Sequence, residues 1–196
     1  MTPMVRSSLL ELLCRHSYRY DPEGGFELVS GKRSRFYIDC KKTTMRGEAA
    51  DPIGALVAEH LPSGVTAVGG LTMGADPIAQ ATAAYCTRNG RPLDAFAVRK
   101  DAKRHGLRKW IEGGAEPGAT VAVVDDVVTT GGSTIQAIEK CRQEGLQVAA
   151  VVVLVDRQEE GGLDRIREVA GPGVPVTPIF TLDELRSAAD AHARRG

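Results

Sequence analysis

The chain has 196 residues with 25 Lys or Arg and 25 Asp or Glu, so its formal net charge is zero. Hydrophobic types make up 42% and charged types 26%, which is ordinary for a soluble globular domain. The balanced charge excludes a nucleic-acid binder that works through a broad basic surface. No apolar run approaches the roughly 18 residues of a membrane span.

Neither secretion nor metal binding is indicated by the local composition. Arg6, Glu11 and Arg15 interrupt the apolar N-terminal stretch, so we do not expect a secretory signal. The four cysteines are far apart and show no Cys-x-x-Cys spacing, which favours reduced thiols over disulfides or a zinc site. We therefore expect a single-domain protein in the cytoplasm, without nucleic-acid or membrane partners.

The N-terminal third is predicted to form a small appendage, residues 1–64. The predicted elements are a helix over 4–14, strands over 26–30 and 35–39 that flank a turn at 31–34, and a helix over 47–61. Pro62 and Gly64 close this last helix.

From residue 65 onward, short apolar runs alternate with helix-like segments. The predicted strands are 65–68, 95–98, 120–124, 148–155 and 176–180. The predicted helices are 75–89, 133–144, 163–170 and 182–193. Runs such as 121–124 and 151–155 are apolar on both faces, which is typical of strands inside a parallel sheet that helices cover on both sides. We predict that residues 65–196 form a doubly wound, mostly parallel α/β core.

Residues 99–114 read RKDAKRHGLRKWIEGG, a run rich in Lys and Arg that follows a predicted strand. A solvated charged stretch is the ordinary explanation of such a run. We interpret it instead as a long exposed loop with a functional role, because long loops in compact domains tend to be functional or mobile.

The segment 123–134, VVDDVVTTGGST, indicates chemistry most strongly. Asp125 and Asp126 are predicted to end an apolar strand, and a Thr/Gly/Ser turn then enters a helix. Ligands of open α/β sheets bind outside the carboxyl ends of strands, and a helix start offers free N–H groups to a phosphate. The acids would repel phosphate but suit a hydroxyl-rich or Mg²⁺-bound ribose. The alternative is a strand-end acid pair followed by an ordinary helix cap.

The stretch 125–133, DDVVTTGGS, resembles the signature with which type I phosphoribosyltransferases bind phosphoribosyl pyrophosphate (PRPP). Further stretches resemble the orotate phosphoribosyltransferases within that superfamily. They are 26–31 (FELVSG), 37–39 (YID), 69–77 (GGLTMGADP), the basic run 99–106 and 155–157 (VDR). These stretches span most of the chain in the family's order. The resemblance implies the type I fold and transfer of phosphoribose to orotate in pyrimidine synthesis.

The resemblance implies a role for each matching residue. Asp125 and Asp126 would hold the ribose hydroxyls, partly through Mg²⁺ that PRPP itself mainly binds, and the turn 129–133 would bind the 5′-phosphate. The residues implied to bind PRPP are Arg99, Lys100, Lys103, His105, Asp125, Asp126, Val127, Val128, Thr129, Thr130, Gly131, Gly132 and Ser133.

The same resemblance implies the catalytic set, the base site and the assembly. The catalytic set is Lys103, Asp125 and Asp126. Thr129 and Arg157 would contact orotate. Because the family acts as homodimers, Arg99 would reach the pyrophosphate of the partner subunit.

Two positions depart from the family's pattern. Val29 and Met73 stand where many members carry a Lys that approaches the pyrophosphate. The candidates to replace these charges are Lys32, Arg33, Lys41 and Lys42.

Two other functions stay open on the sequence alone. One is transfer to a purine or to uracil, against which the cationic Arg157 argues because it suits an anionic base. The other is a non-catalytic regulator that senses PRPP or a nucleotide, against which the retained Lys100, Lys103 and His105 argue.

Overall fold

The computed structural model describes residues 2–27, 33–101 and 110–193. The helices are α1 (Thr2–His16), α2 (Lys41–Thr44), α3 (Gly47–Ala58), α4 (Ala75–Arg88), α5 (Gly132–Gln143), α6 (Gly162–Ala170) and α7 (Leu182–Ala193). The strands are β1 (Tyr18–Tyr20), β2 (Phe26–Glu27), β3 (Arg33–Ser34), β4 (Phe36–Ile38), β5 (Ala67–Leu71), β6 (Asp94–Val98), β7 (Ile111–Gly113), β8 (Thr120–Val128), β9 (Gln147–Asp156) and β10 (Val176–Thr181).

Six strands form the central sheet in the order β10-β9-β8-β5-β6-β7, and all neighbours except β6 and β7 are parallel. The predicted doubly wound α/β fold is confirmed. Consecutive residues of β8 face opposite sides of the sheet. Val124 packs in one core with α1, α3, α4 and α7, whereas Val123 packs in a second core with α5 and α6. The sheet therefore separates two apolar layers.

The basic run was predicted as a loop through residue 114, and this is wrong at its C-terminal end. Residues Ile111–Gly113 form β7, which pairs antiparallel with β6 and places Ile111 opposite Val98. The strand forms because Ile111 covers an apolar part of the β6 edge and is itself buried. Three residues with one apolar side chain carry no periodicity that a sequence could reveal.

The predicted hairpin around a turn at 31–34 is also wrong. Arg33 and Ser34 lie in β3, which pairs with β2, while β4 pairs with β1, a strand that the sequence analysis does not predict. Aromatic packing explains the partner of β4, since the rings of Tyr20 and Phe36 stack with centroids 5.2 Å apart.

The carboxyl ends of β5, β8 and β9 meet at one edge of the sheet, and the turns that follow them build the candidate site. None of the helices in the described ranges is long and apolar enough to cross a membrane. All four cysteines are free thiols.

Candidate active site

The two adjacent acids lie inside β8, not at its end. The strand continues past them to Val128, because Val127 and Val128 still pair with β9. The prediction that the strand ends at the acids is therefore wrong by two residues. As neighbours in a strand, the two side chains leave on opposite faces of the sheet. The Asp125 carboxylate therefore faces α5, and the Asp126 carboxylate faces α2.

Asp125 lies on the α5 side and is 5% exposed. Its Oδ2 accepts a hydrogen bond of 2.6 Å from the Thr134 hydroxyl, and its Oδ1 accepts one of 3.0 Å from the Asp126 amide. Burial raises the pKa of the Asp125 carboxyl to about 7, against the hydrogen bond from Thr134, which lowers it. The site thus holds a carboxylate whose ionisation is disfavoured until a cation or a polar ligand arrives.

Asp126 lies on the other face, beside Lys41 and Gly74. Lys41 Nζ is 3.8 Å from Asp126 Oδ2 and 2.9 Å from Asp39 Oδ1. Among the described residues, Asp126 Oδ2 is buried without a hydrogen-bond partner. Burial raises the pKa of Asp126, and the charge of Lys41 opposes that shift. An ideal Cβ on Gly74 would collide with the Asp126 carboxyl, so only glycine fits there.

The turn after β8 presents free backbone donors. Within the described ranges, the amides of Thr130, Gly131, Ser133 and Thr134 donate to no carbonyl of the chain, and Gly132 N–H makes only a 3.4 Å contact with the Thr130 hydroxyl. Gly131 adopts a φ of 79°, which directs the chain into α5. Free amides at a helix start bind anions, and a phosphate is the expected ligand.

A cavity of about 340 Å³ connects the carboxylates with this turn. Its lining residues are Lys41, Leu71, Thr72, Met73, Gly74, Lys100, Asp125, Asp126 and Ser133. A second cavity of about 480 Å³ shares Thr72, Met73 and Lys100 with the first and adds Arg99 at its wall. The shared residues make the two cavities parts of one depression, in which acids and cations alternate: Lys41 and Lys100 stand with the two acids of β8, and Asp101 and Glu112 line the second cavity with Arg99.

Arg157 lies directly after β9, and its amide donates to the carbonyl of Val128 at 2.9 Å. Arg157 is only 6% exposed, so it is not a solvent-exposed arginine at the end of a strand. Its Nη2 donates to Glu159 Oε1 at 3.1 Å and contacts the Ser34 hydroxyl at 3.5 Å. Within the described part of the chain, its buried Nε has no partner. Arg157 does not line the cavity of the two acids.

The structure brings together most of the residues that the sequence singles out. Lys100, Asp125, Asp126 and Ser133 share one cavity, and Arg99 lies in the adjoining one. Thr129, Thr130, Gly131 and Gly132 form the turn, whereas Val127 and Val128 belong to β8 and the Val128 side chain is buried in the core. Lys103, His105, Val29 and Lys32 lie outside the described residues.

The cation beside Asp126 is only partly anticipated by the sequence. Of the four candidates to replace the missing charges, Lys41 lines the cavity next to Met73, while Arg33 lies in β3 and donates to the carbonyl of Gly25. Burial acts to lower the pKa of Lys41, but the hydrogen bond to Asp39 and the charge of Asp126 outweigh it and raise that pKa. Thr134 and Gly74 lie within the stretches 123–134 and 69–77 that the sequence singles out, but their positions beside the carboxylates are not predicted from it.

An open parallel sheet with an acid pair and a phosphate-type turn at its carboxyl edge defines a phosphoribosyltransferase of the type I fold. No protein-family model matches the chain. The orotate phosphoribosyltransferase of Aquifex aeolicus is 43% identical over 189 residues, which covers 94% of this chain and all of that relative. The chain belongs to the orotate phosphoribosyltransferase family.

Solved structures agree with this assignment. The orotate phosphoribosyltransferase of Mycobacterium tuberculosis in complex with inorganic phosphate superimposes with a TM-score of 0.77 at 34% identity and covers 93% of this chain and 99% of its own. The same enzyme in complex with PRPP gives a TM-score of 0.71 at 32% identity, covering 93% and 92%.

Proposed function

We propose that this chain transfers the 5-phosphoribosyl group of PRPP to orotate, giving orotidine 5′-monophosphate and diphosphate in pyrimidine synthesis. The observation that carries this proposal is one depression that joins two buried carboxylates, a turn of free amides and the cations Lys41 and Lys100. The family relationship and the PRPP complex of a relative support the choice of donor.

The arrangement suits displacement at ribose C1′. The base nitrogen loses its N–H proton to solvent and forms a bond to C1′, while the bond from C1′ to the pyrophosphate oxygen breaks and its electron pair leaves on that oxygen. Positive charge develops on the sugar, which Asp125 and Asp126 stabilise, and negative charge grows on pyrophosphate, which Lys41 and Lys100 stabilise. From the resemblance, Lys103 and His105 add to this second group of cations. The turn 129–133 anchors the 5′-phosphate.

The site fits a Mg²⁺ ion held mainly by PRPP. Asp126 Oδ2 is buried without a hydrogen-bond partner in the described structure, and carboxylate oxygens are the donors that Mg²⁺ prefers. The described residues contain no group of three or more acids, His or Cys that could hold a metal ion by themselves. Asp125 and Asp126 would therefore contribute ligands to an ion that the substrate carries, and the ion would neutralise pyrophosphate charge.

The test is to supply PRPP, Mg²⁺ and a panel of bases and to follow which base is consumed. We expect loss of orotate absorbance and formation of orotidine monophosphate and diphosphate. Turnover of a purine or of uracil in place of orotate would overturn the choice of base. PRPP binding without turnover of any base would indicate a regulator.

We propose that Lys41 supplies the positive charge that is missing at position 73, where many family members carry a Lys and this chain carries Met73. We expect Lys41→Met to raise the KM for PRPP by about threefold to tenfold, because one partly exposed charge contact to the pyrophosphate end is lost. The control is Lys42→Met, since Lys42 neighbours Lys41 in α2 and does not line the cavity. An equal effect of both substitutions in steady-state kinetics would contradict this role.

We further propose a cytoplasmic homodimer in which Arg99 serves the partner's site. Arg99 is partly exposed beside Glu112, and the four free thiols suit a reducing compartment. Co-expressed Arg99→Ala and Asp125→Asn subunits, each inactive alone, are expected to regain about a quarter of wild-type activity, because half of the dimers then hold one complete site. No regain in purified heterodimers would place Arg99 in the site of its own chain.

A further inference from the structure

Lys140 is a buried cation that the proposed reaction does not use. It lies in α5, two turns after the free amides at the start of that helix, and is 6% exposed. Burial lowers its pKa, and the nearby charge of Asp101 opposes this. A lysine is seldom this buried unless its ammonium group is well partnered, so the partners indicate its role.

The ammonium group of Lys140 contacts both segments of the stem of the basic run, which we define as residues 99–101 and 110–113. Nζ donates to the carbonyl oxygens of Arg99 and Lys100, each at 2.8 Å, and lies 3.7 Å from the ring centroid of Trp110. Two carbonyls and one aromatic face account for the three N–H donors. The stem is closed further by the Arg99 amide, which donates to the carbonyl of Trp110 at 2.9 Å.

A second contact ties this stem to the same helix region. The amide of Trp110 donates to Glu144 Oε1 at 3.3 Å, just beyond the end of α5. One helix therefore carries the phosphate-type turn at its first residue and the anchor for Arg99 and Lys100 two turns later. The distance from the phosphate-type turn to Lys100, which line the same cavity, is thereby set by a rigid element.

We propose that Lys140 is a positioning residue that fixes the backbone of Lys100 relative to the PRPP phosphate turn of the same chain and holds the adjacent Arg99, which serves the partner's site. This inference rests on the proposed function. Because Lys140 sets the positions of Arg99 and Lys100, its loss should change the binding of PRPP and leave the binding of orotate nearly unchanged.

The test compares Lys140→Met with Arg142→Met. Arg142 lies on the same helix and likewise donates to two carbonyls, those of Val169 and Ala170, each at 2.6 Å, but on the side of α6. We expect Lys140→Met to raise the KM for PRPP by about fivefold to tenfold and to leave the KM for orotate within about twofold. Arg142→Met is expected to lower thermal stability without changing either KM.

Fluorescence supplies a readout that is independent of turnover. Trp110 is the single tryptophan of the chain, so its emission reports directly on the ring beside Lys140. Lys140→Met is expected to change this emission and increase quenching by acrylamide, whereas Arg142→Met leaves both unchanged. If wild-type protein consumes no orotate, the proposed function fails while the emission result still tests the stem.

Two outcomes would overturn the inference. One is a wild-type KM for PRPP in folded Lys140→Met protein, and the other is an equal loss of activity in Lys140→Met and Arg142→Met. If Lys140→Met does not fold, Trp110→Leu takes its place, because it removes the ring and leaves the two carbonyl bonds. A smaller rise of the same KM then supports the inference, and an unchanged KM contradicts it.

Discussion

Asp125→Asn is expected to lower kcat by about 10²- to 10³-fold, because the site loses a charge placed to stabilise the developing cation. The same change is expected to stabilise the ligand-free protein at neutral pH. Asparagine keeps an oxygen that accepts from the Asp126 amide, its NH2 group can donate to the Thr134 hydroxyl oxygen, and the substitution removes a carboxylate that is buried at 5% exposure. The measurements are steady-state kinetics and urea unfolding of both proteins.

The direction of the expected stability change follows from how the ionisation of Asp125 depends on pH. The carboxyl of Asp125 ionises near its ordinary pKa of 3.8 in the unfolded chain and at a pKa of about 7 in the folded protein. Between these values the folded state keeps a proton that the unfolded state has released, so wild-type stability falls as pH rises from about 4 through 7. Each unit of difference corresponds to about 1.36 kcal/mol. The advantage of Asp125→Asn should therefore be present at pH 8 and absent at pH 4.

A matched control is Asp94→Asn, since Asp94 is an exposed acid at the opposite end of the sheet. It should change neither kcat nor stability. A variant Asp125→Asn that loses activity and is also less stable at pH 8 would show that the carboxylate serves the fold. In wild-type enzyme, kcat/KM for PRPP should rise with pH through an acidic limb near 7, titrated by the pair of acids together.

Arg157→Gln is expected to raise the KM for orotate by about tenfold to a hundredfold while the KM for PRPP stays within about threefold. The guanidinium is almost fully buried, and its Nε has no hydrogen-bond partner in the described structure. A buried, incompletely paired cation at the end of β9 is suited to the carboxylate or a carbonyl of orotate. Glutamine keeps a donor but loses the charge.

The control for Arg157 is Glu159→Gln, which removes the carboxylate partner and retains the cation. We expect a smaller change, confined to orotate. Steady-state kinetics with each substrate varied in turn distinguish the outcomes, and thermal melting confirms that both variants fold. An equal rise of both KM values in Arg157→Gln would place this side chain outside the base site.

The central architecture and the chemical core of the site could be predicted because their signals are local. The runs around Val123 and Val152 are apolar on both faces, and only a sheet covered on both sides accommodates them. The acids, hydroxyls and glycines of the phosphate turn are contiguous in sequence. Asp125, Asp126 and Ser133 line one cavity because the end of a strand lies beside the start of a helix.

The remaining features depend on contacts between distant segments. Strands β1–β4 and β7 have two or three residues each, and their pairing is decided by partners such as Phe36 and Ile111 that no window of sequence reveals. Lys41 reaches Asp126 only because α2 follows β4 into the edge of the sheet. Lys140 looks like any surface lysine of a helix until its carbonyl partners are seen.

The opposite orientation of the two acids has a consequence for how the protein tolerates change. Asp125 is supported by the layer of α5 and α6, and Asp126 by the layer that contains α3 and α4. Loosening one layer therefore disturbs the support of one carboxylate and leaves the support of the other in place. Substitutions in the two layers should therefore act first on different carboxylates, but their combined effect should depart from the sum, because the Asp126 amide donates to Asp125 Oδ1 and links the two acids.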